Sequence, residues 1–254
     1  MGMQGCRALF IRGYIQSGLS VRDLHRGQRN KRSCRRFVGG FSIIRRIGSP
    51  LVWRCQVESS PRRRSVSDKL TTGSPHFVEM GHSQPSLLDY KDIRAIKDLT
   101  KRAVNSIGIN HGPAHVEIML TDQGPKMIEL GARMGGDCIT THLVPLSTGI
   151  DMVKATIQIA LGEKSSIAPK FDKGAAIRYL KETKGIIKNI SGVDIVNKID
   201  GIKQVVLTKT VGDIVGQISS SVDRVGYVIA QANTVQAAID LCENAMKQIY
   251  ITTE

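Results

Sequence analysis

The sequence predicts an α+β fold, an antiparallel sheet with helices, that begins near residue 66. Three observations carry this prediction: a helical apolar period over residues 86–107, a two-residue apolar alternation that begins at Ala114, and a turn followed by a second strand-like run. With 41% hydrophobic residues in 254, the chain is large enough to form a core. No apolar run approaches the roughly 18 residues that cross a bilayer, so no membrane association is expected.

Positive charge is concentrated at the front of the chain. Residues 1–65 hold 15 Lys and Arg and two acidic residues, whereas residues 66–254 hold 21 basic and 20 acidic residues. No helical or strand period persists in the front, so we predict that it is irregular. Three interpretations stay open: a nucleic-acid-binding arm, an organelle-targeting leader, or a segment that is not a native partner of the rest of the chain, such as a frame-shifted start. We favour the third, because Arg usage gives way abruptly to Lys usage.

Five scattered cysteines without a CxxC spacing indicate reduced thiols in the cytoplasm and give no ligand pattern for zinc. Nucleic-acid binding is an alternative function that we do not favour, because residues 66–254 are nearly neutral and their aromatic residues form no stacking platform.

The first element is an amphipathic helix within residues 86–107. One of its faces carries Ile93, Ile96, Leu99, Ala103, Val104 and Ile107. A strand from Ala114 to Leu120 comes next, with apolar residues alternating with His115, Glu117 and Met119.

A turn at residues 121–125 leads into a second strand, Lys126 to Gly131. A three-residue loop with Gly124 in the left-handed position would set Thr121 opposite Pro125 and pair Glu117 with Glu129. A two-residue loop would place the two glutamates on opposite faces of the hairpin.

Paired glutamates at this register are a candidate metal site. Two carboxylates with Cβ atoms about 5 Å apart repel by about 3 kcal/mol at an effective dielectric of 20. A divalent cation offsets that repulsion, and Mg²⁺ typically takes one or two carboxylates together with phosphates and water. The alternatives are two solvated glutamates or one protonated partner.

An arginine and a pair of glycines come directly after the second strand. The planar guanidinium of Arg133 suits two-point binding of phosphate or carboxylate oxygens. Gly135 and Gly136 let backbone N–H groups approach an anion. Together with Glu117 and Glu129, these residues indicate a site for a phosphorylated ligand.

The sequence at this point resembles the ATP-grasp superfamily, and within it the carboxylate–amine ligases, which include amino-acid ligases and are related to biotin carboxylase. Five runs carry the resemblance: Asp68 to Gly73, His76 to Pro85, His115 to Glu117, Ile128 to Asp137, and His142 to Asp151. The resemblance covers residues 66–254 and matches the latter half of a typical member.

The resemblance implies a role for each matching residue. Glu117 and Glu129 are similar to the two Mg²⁺ (or Mn²⁺) ligands, and Met119 to the residue under the adenine of ATP. Arg133 is similar to the arginine that stabilises the transferred phosphoryl group. The acyl centre is implied to lie near Glu79, His82 and the Gly135–Gly136 backbone.

The implied reaction activates a carboxylate with ATP and captures the resulting acyl phosphate with an amine. The expected partners are therefore a small-molecule carboxylate and a small-molecule amine, with a homodimer as the oligomer considered. Gly131 stands where the family often has an asparagine metal ligand, which puts that contact in doubt. Residues 1–65 supply no N-terminal domain or phosphate-binding lid; if the upstream part of such an enzyme is absent, we expect no ligase turnover from the chain alone.

Beyond the glycine pair, a helix is predicted from Thr148 or Asp151 to Gly162, with Met152, Val153, Ile157 and Leu161 inward. Strand-like runs are found around 175–180, 204–209 and 224–230, and a closing helix spans about 234–249. The predicted organisation is an atypical segment 1–65, an ATP-grasp catalytic half 66–170, and a small α/β domain 171–254.

Overall fold

The structure of the chain is a computed structural model that describes residues 52–57, 64–181 and 184–254, with side chains from residue 65 onward. The interpretations placed on residues 1–51 and 58–63 lie outside the described residues. None of the described helices is long and apolar enough to cross a membrane.

Eleven strands and five α-helices make up the described part of the chain. The strands are β1 (Val52–Val57), β2 (Arg64–Thr71), β3 (Glu79–Gln84), β4 (Ala114–Thr121), β5 (Gly124–Gly131), β6 (Gly174–Tyr179), β7 (Gly185–Ser191), β8 (Ile202–Leu207), β9 (Ile214–Val215), β10 (Gly226–Ala232) and β11 (Tyr250–Thr253). The helices are α1 (Tyr90–Ser106), α2 (Val144–Thr148), α3 (Met152–Ala160), α4 (Val193–Val196) and α5 (Val235–Met246). A π-helical turn, Ile139–Leu143, precedes α2.

Eight strands form one sheet in the order β5-β4-β1-β2-β3-β6-β10-β8, and β11, β7 and β9 form a smaller one. Every pairing is antiparallel. The predicted α+β class, an antiparallel sheet with helices, is confirmed.

The front segment enters the sheet before residue 65, which corrects the irregular structure predicted up to that point. β1 pairs with β2 on one side and β4 on the other. Its six residues include Arg and Gln among the apolar ones and give no clear period alone. Pairing on both edges, which no local pattern records, defines this strand.

The sheet also continues across the boundary predicted at residue 171. β3 pairs with β6 through Gly81↔Arg178 and His82↔Ile177. The final third of the chain therefore extends the sheet of the preceding part. Gly81 permits this junction, because a Cβ there would lie 2.8 Å from the Ile177 carbonyl and 3.0 Å from the Arg178 side chain.

Helices α1 and α5 cover one face of the large sheet. Ile96 and Val104 of α1 pack with Val116 and Ile118 of β4. Ala238, Cys242 and Ala245 of α5 pack against Ala176 and Val228. Since Val116 and Ile118 alternate with Glu117, the glutamate faces the other side of the sheet.

The second face is covered in part by the π-helical turn, α2 and α3. Ile139, Leu143 and Met152 pack on Ile177 and Ile229. The part of this face formed by β5 and β4 carries the polar residues of the candidate site.

The inward face predicted for α3 is partly wrong. Met152 and Ala155 are buried, but Ile157 is 56% exposed and Leu161 70% exposed. The helix ends at Ala160, so Leu161 lies at its cap, and the buried side is formed by Met152 and Ala155 rather than by Ile157 and Leu161. In the closing helix, the spacing predicts that Ala238, Leu241, Cys242 and Ala245 share one side; Ala238, Cys242 and Ala245 are buried there, and Leu241 is half-buried.

Asp68 gives the fold a pH dependence. Burial raises the pKa of this carboxyl to about 6, although the Leu87 N–H donates a hydrogen bond of 2.9 Å to it. The folded state thus holds the Asp68 proton more tightly than the unfolded state does. Its contribution to stability is complete below pH 4 and is lost as the pH rises through about 6.

We therefore expect Asp68→Asn to raise the free energy of unfolding at pH 7 by about 1–3 kcal/mol and to have little effect at pH 4. Urea unfolding at both pH values measures the difference. The exposed Asp122→Asn is the control. If Asp68→Asn changes the free energy of unfolding equally at the two pH values, the raised pKa of Asp68 is contradicted.

Candidate functional site

The β4–β5 hairpin places Glu117 directly opposite Glu129, as the sequence predicted. Paired residues of antiparallel strands project to the same face, so both carboxylates belong to one surface. Glu117 is nearly buried, with its side chain 12% exposed, whereas the Glu129 side chain is 47% exposed.

The predicted three-residue loop is wrong, although the pairing that it was meant to explain is right. Thr121 pairs with Gly124, which leaves a two-residue loop, Asp122–Gln123. A bulge between Glu117 and Ile118 shifts the register by one residue and restores the Glu117–Glu129 pair. Gly124 does adopt the expected positive φ, +91°.

A buried lysine holds two of the predicted acidic residues together. Lys69, on β2, places Nζ 2.7 Å from Glu79 Oε1 and 3.0 Å from Glu117 Oε2. The Lys69 side chain is only 6% exposed. His115 adds a nitrogen 3.6 Å from the other Glu117 oxygen.

Lys69 lies in the run Asp68 to Gly73, which contributes to the family resemblance, but no role could be predicted for it from the sequence. Strand alternation alone cannot show which distant acid a lysine will meet, because Lys69 and Glu117 are 48 residues apart. Its position inside a strand was the available signal, since lysine is rarely buried without a partner.

Arg133 lies beside Glu129 at the open edge of the face. Its Nη2 donates to Glu129 Oε1 at 3.1 Å, and its Nη1 donates to the Met134 carbonyl. Both side chains are nearly half exposed. An exposed pair of this kind contributes little to stability, so both groups are available to a ligand.

A second polar group surrounds His82, which is fully buried on β3. His82 Nε2 lies 3.2 Å from Asp137 Oδ2. Arg224 donates to both Asp137 oxygens, at 3.0 and 3.3 Å. Lys69 and His82 are register partners, so this group adjoins the lysine and its two glutamates.

Asp137 is ionised in this setting. Burial alone would raise its pKa, but the hydrogen bonds and positive charges of His82 and Arg224 outweigh burial and hold the pKa well below its usual range. Sequence reasoning missed Arg224 because 87 residues separate it from Asp137.

The glycine pair lies in the loop between β5 and the π-helical turn. A Cβ on Gly135 would lie 2.9 Å from His115 Nδ1, so this position requires glycine for close packing. A Cβ on Gly136 would meet nothing within 4 Å. Asp137 and Cys138 then take left-handed φ values of 50° and 60°, which turn the chain back toward β3.

Met119 lies on β4 two residues beyond Glu117 and therefore on the same face, half-buried. The site face thus brings together Met119, Glu117, Glu129 and Arg133 along the hairpin. Glu79 and His82 lie on β3, joined to the hairpin through Lys69.

The donor set fits a divalent cation that shares its ligands with phosphates. Glu79, Glu117 and Lys69 together carry a net charge of −1, and Glu129 adds a carboxylate balanced by Arg133. Within the described part of the chain, no three His, Cys, Asp or Glu residues form a group that could hold a metal. A cation bound by Glu117 and Glu129 would therefore need phosphate or water oxygens, which is the usual environment of Mg²⁺.

Two family models match the chain. Residues 60–141 match the ATP-grasp domain, and residues 178–254 match the L-amino acid ligase C-terminal domain 2. Over these residues the chain is similar to ATP-grasp proteins. The first match includes both hairpin glutamates, Arg133 and the glycine pair.

Curated relatives of the chain include a protein of Sinorhizobium fredii described as uncharacterized protein y4rH, which is 28% identical over 69% of the chain. Carnosine synthase 1 of Gallus gallus is 31% identical over 38% of the chain. The aligned residues span 37% of the first relative and 10% of the second.

Solved structures show the same fold. Phosphoribosylglycinamide synthetase from Anaerococcus prevotii is 24% identical with a TM-score of 0.72, over 82% of this chain and 55% of that one. L-amino acid ligase from Bacillus licheniformis is 22% identical with a TM-score of 0.70, over 81% of this chain and 52% of that one. The chain thus spans about half the length of these proteins.

Proposed function

We propose that the chain carries the metal- and phosphate-handling part of an ATP-dependent carboxylate–amine ligase. The observation that carries the proposal is the pairing of Glu117 with Glu129 beside Arg133. One buried and one exposed carboxylate on a common face, next to an available guanidinium, suit Mg²⁺-ATP. The matches to the ATP-grasp domain and to the L-amino acid ligase C-terminal domain 2 support the same proposal.

Each residue has a defined task in this proposal. Glu117 and Glu129 would hold Mg²⁺ or Mn²⁺, which when bound neutralises charge on the ATP phosphates. Arg133 orients the transferred phosphoryl group. Met119 contacts the adenine, and the Gly136 backbone approaches the anion.

The proposed reaction has two steps. A substrate carboxylate oxygen forms a bond to the γ-phosphorus as the bond to ADP breaks, which gives an acyl phosphate. The amine nitrogen then bonds to the acyl carbon, phosphate leaves, and the amine loses a proton. Glu79 and His82 are assigned to the acyl side, where exclusion of water protects the acyl phosphate.

The partners in this proposal are a small-molecule carboxylate and a small-molecule amine. The homodimer and the cytoplasmic location stay predictions.

Isothermal titration calorimetry with ATP tests the proposal on the chain as it is. We expect Mg²⁺ to tighten ATP binding by at least about tenfold, or roughly 1.4 kcal/mol. Gly136→Ala adds a methyl group in open space, so the fold is retained, but we expect it to weaken Mg²⁺-ATP binding by a similar factor.

Gly216→Ala is the matched control, since a Cβ at Gly216 also meets nothing within 4 Å and the residue lies outside the site. ATP affinity that does not respond to Mg²⁺ would contradict the proposal. If the two alanine variants bind Mg²⁺-ATP with equal affinity, Gly136 does not belong to the ATP site.

A further inference from the structure

Arg224, which the sequence did not single out, donates three hydrogen bonds at the His82 group. Its Nη1 and Nη2 span the two Asp137 oxygens, and Nη1 also donates to the Glu79 carbonyl at 3.1 Å. The guanidinium lies 3.7 Å from the centre of the Tyr179 ring. The Arg224 side chain is 11% exposed, so these contacts hold it in a largely buried position.

The loop that carries Arg224 is itself held in place. Asp223 accepts hydrogen bonds from the backbone and hydroxyl groups of Ser219 and Ser220, at 2.8 to 3.0 Å. Arg224 Nε donates to the Ser221 carbonyl, and the Thr208 hydroxyl donates to the Arg224 carbonyl. The guanidinium therefore reaches Asp137 from a preorganised segment.

The protonation state of the Asp137 carboxyl group determines which His82 nitrogen carries a proton. An ionised carboxylate only accepts hydrogen bonds, so His82 Nε2 must be the donor in the 3.2 Å contact. As long as Asp137 holds this position, Nε2 already carries a proton and cannot accept another. The orientation of the ring and its tautomer are then both set by the carboxylate.

We propose that Arg224 is a positioning residue that holds Asp137 against His82 and so fixes the His82 ring at the acyl side of the site. The role assigned to that side rests on the proposed ligase function. Arg224 lies in the part of the chain that matches the L-amino acid ligase C-terminal domain, whereas Asp137 and His82 lie in the ATP-grasp match. The C-terminal segment therefore completes the site as well as extending the sheet.

Nitrogen-15 NMR of the histidine side chains tests this without any nucleotide. In the unmodified chain we expect His82 to show a single form with a protonated Nε2. Arg224→Gln should release Asp137, and the His82 shifts should move toward the mixed-tautomer values of the exposed His111. Unchanged His82 shifts in this variant overturn the proposal.

Arg224→Lys separates positioning from charge. A lysine keeps the positive charge, but one ammonium group cannot span both Asp137 oxygens and the Glu79 carbonyl. We expect the His82 shifts of Arg224→Lys to resemble those of Arg224→Gln. If they instead match the shifts of the unmodified chain, positive charge alone suffices, and the proposal is overturned. Lys203→Gln, at an exposed position, is the control for loss of a cation.

Asp137→Ala completes the test. If Arg224 acts through Asp137, this variant releases His82 in the same way, and adding Arg224→Gln to it causes no further change. A further change in the double variant contradicts the pathway. Should Arg224→Gln fail to fold in a thermal unfolding check, the lysine and alanine variants carry the same test. Because no nucleotide is needed, the ligase proposal can fail while this one holds.

Discussion

Glu117→Gln is expected to weaken Mn²⁺ binding, measured in the presence of ADP, by at least about 10–100-fold. Loss of groups that merely support a metal ligand has effects of this size, and a ligand itself should matter no less. The fold should survive, because Lys69 keeps its 2.7 Å contact with Glu79 and the amide still fills the space. Electron paramagnetic resonance of free Mn²⁺ during titration measures the affinity directly.

Glu129→Gln should act in the same direction, since it removes the opposite carboxylate of the pair. Glu163→Gln, an exposed position outside the hairpin, controls for general loss of negative charge. If Glu117→Gln and Glu163→Gln bind Mn²⁺ with the same affinity, Glu117 is not a ligand of the metal.

Lys69→Met is expected to lower the free energy of unfolding by about 3–5 kcal/mol at pH 8. The change removes the cation that lies between Glu79 and Glu117, and a partner left as an uncompensated buried charge costs about that much. Urea unfolding followed by circular dichroism measures the change.

Adding Glu117→Gln to Lys69→Met should recover part of the lost stability, because one of the two buried charges is then absent. Lys203→Met is the control on an exposed strand position. A loss below about 1 kcal/mol for Lys69→Met would show that the lysine is a surface group of ordinary effect.

Local patterns predicted the elements of this fold well where the amphipathic period was long. Helix α1 and strand β4 are found within a few residues of their predicted ends because apolar spacing and flanking turns act over short distances. β1 was missed because its order comes from pairing with β2 and β4, partners on both sides that no six-residue pattern identifies.

The β4–β5 hairpin shows how a right pairing can come from a wrong premise. The sequence predicted that Glu117 and Glu129 oppose each other, and they do. The loop has two residues rather than three, and the bulge beside Glu117 supplies the missing register shift. A bulge changes the register by one residue without a strong local signal, so it could not be predicted here.

Residues that the sequence left without a role are those held by distant partners. Lys69 is 48 residues from Glu117, and Arg224 is 87 residues from Asp137. Their contacts depend on which strands become neighbours in the sheet. Topology of that kind arises from the whole fold, and neither period nor motif spacing records it.

A crystal structure of the chain with Mn²⁺ and ADP is the most direct measurement of the central claim. The anomalous signal of the metal should lie between the Glu117 and Glu129 carboxylates, with ADP phosphate oxygens completing its ligands. A metal bound elsewhere, or a hairpin in which the two side chains lie on opposite faces, would contradict the account.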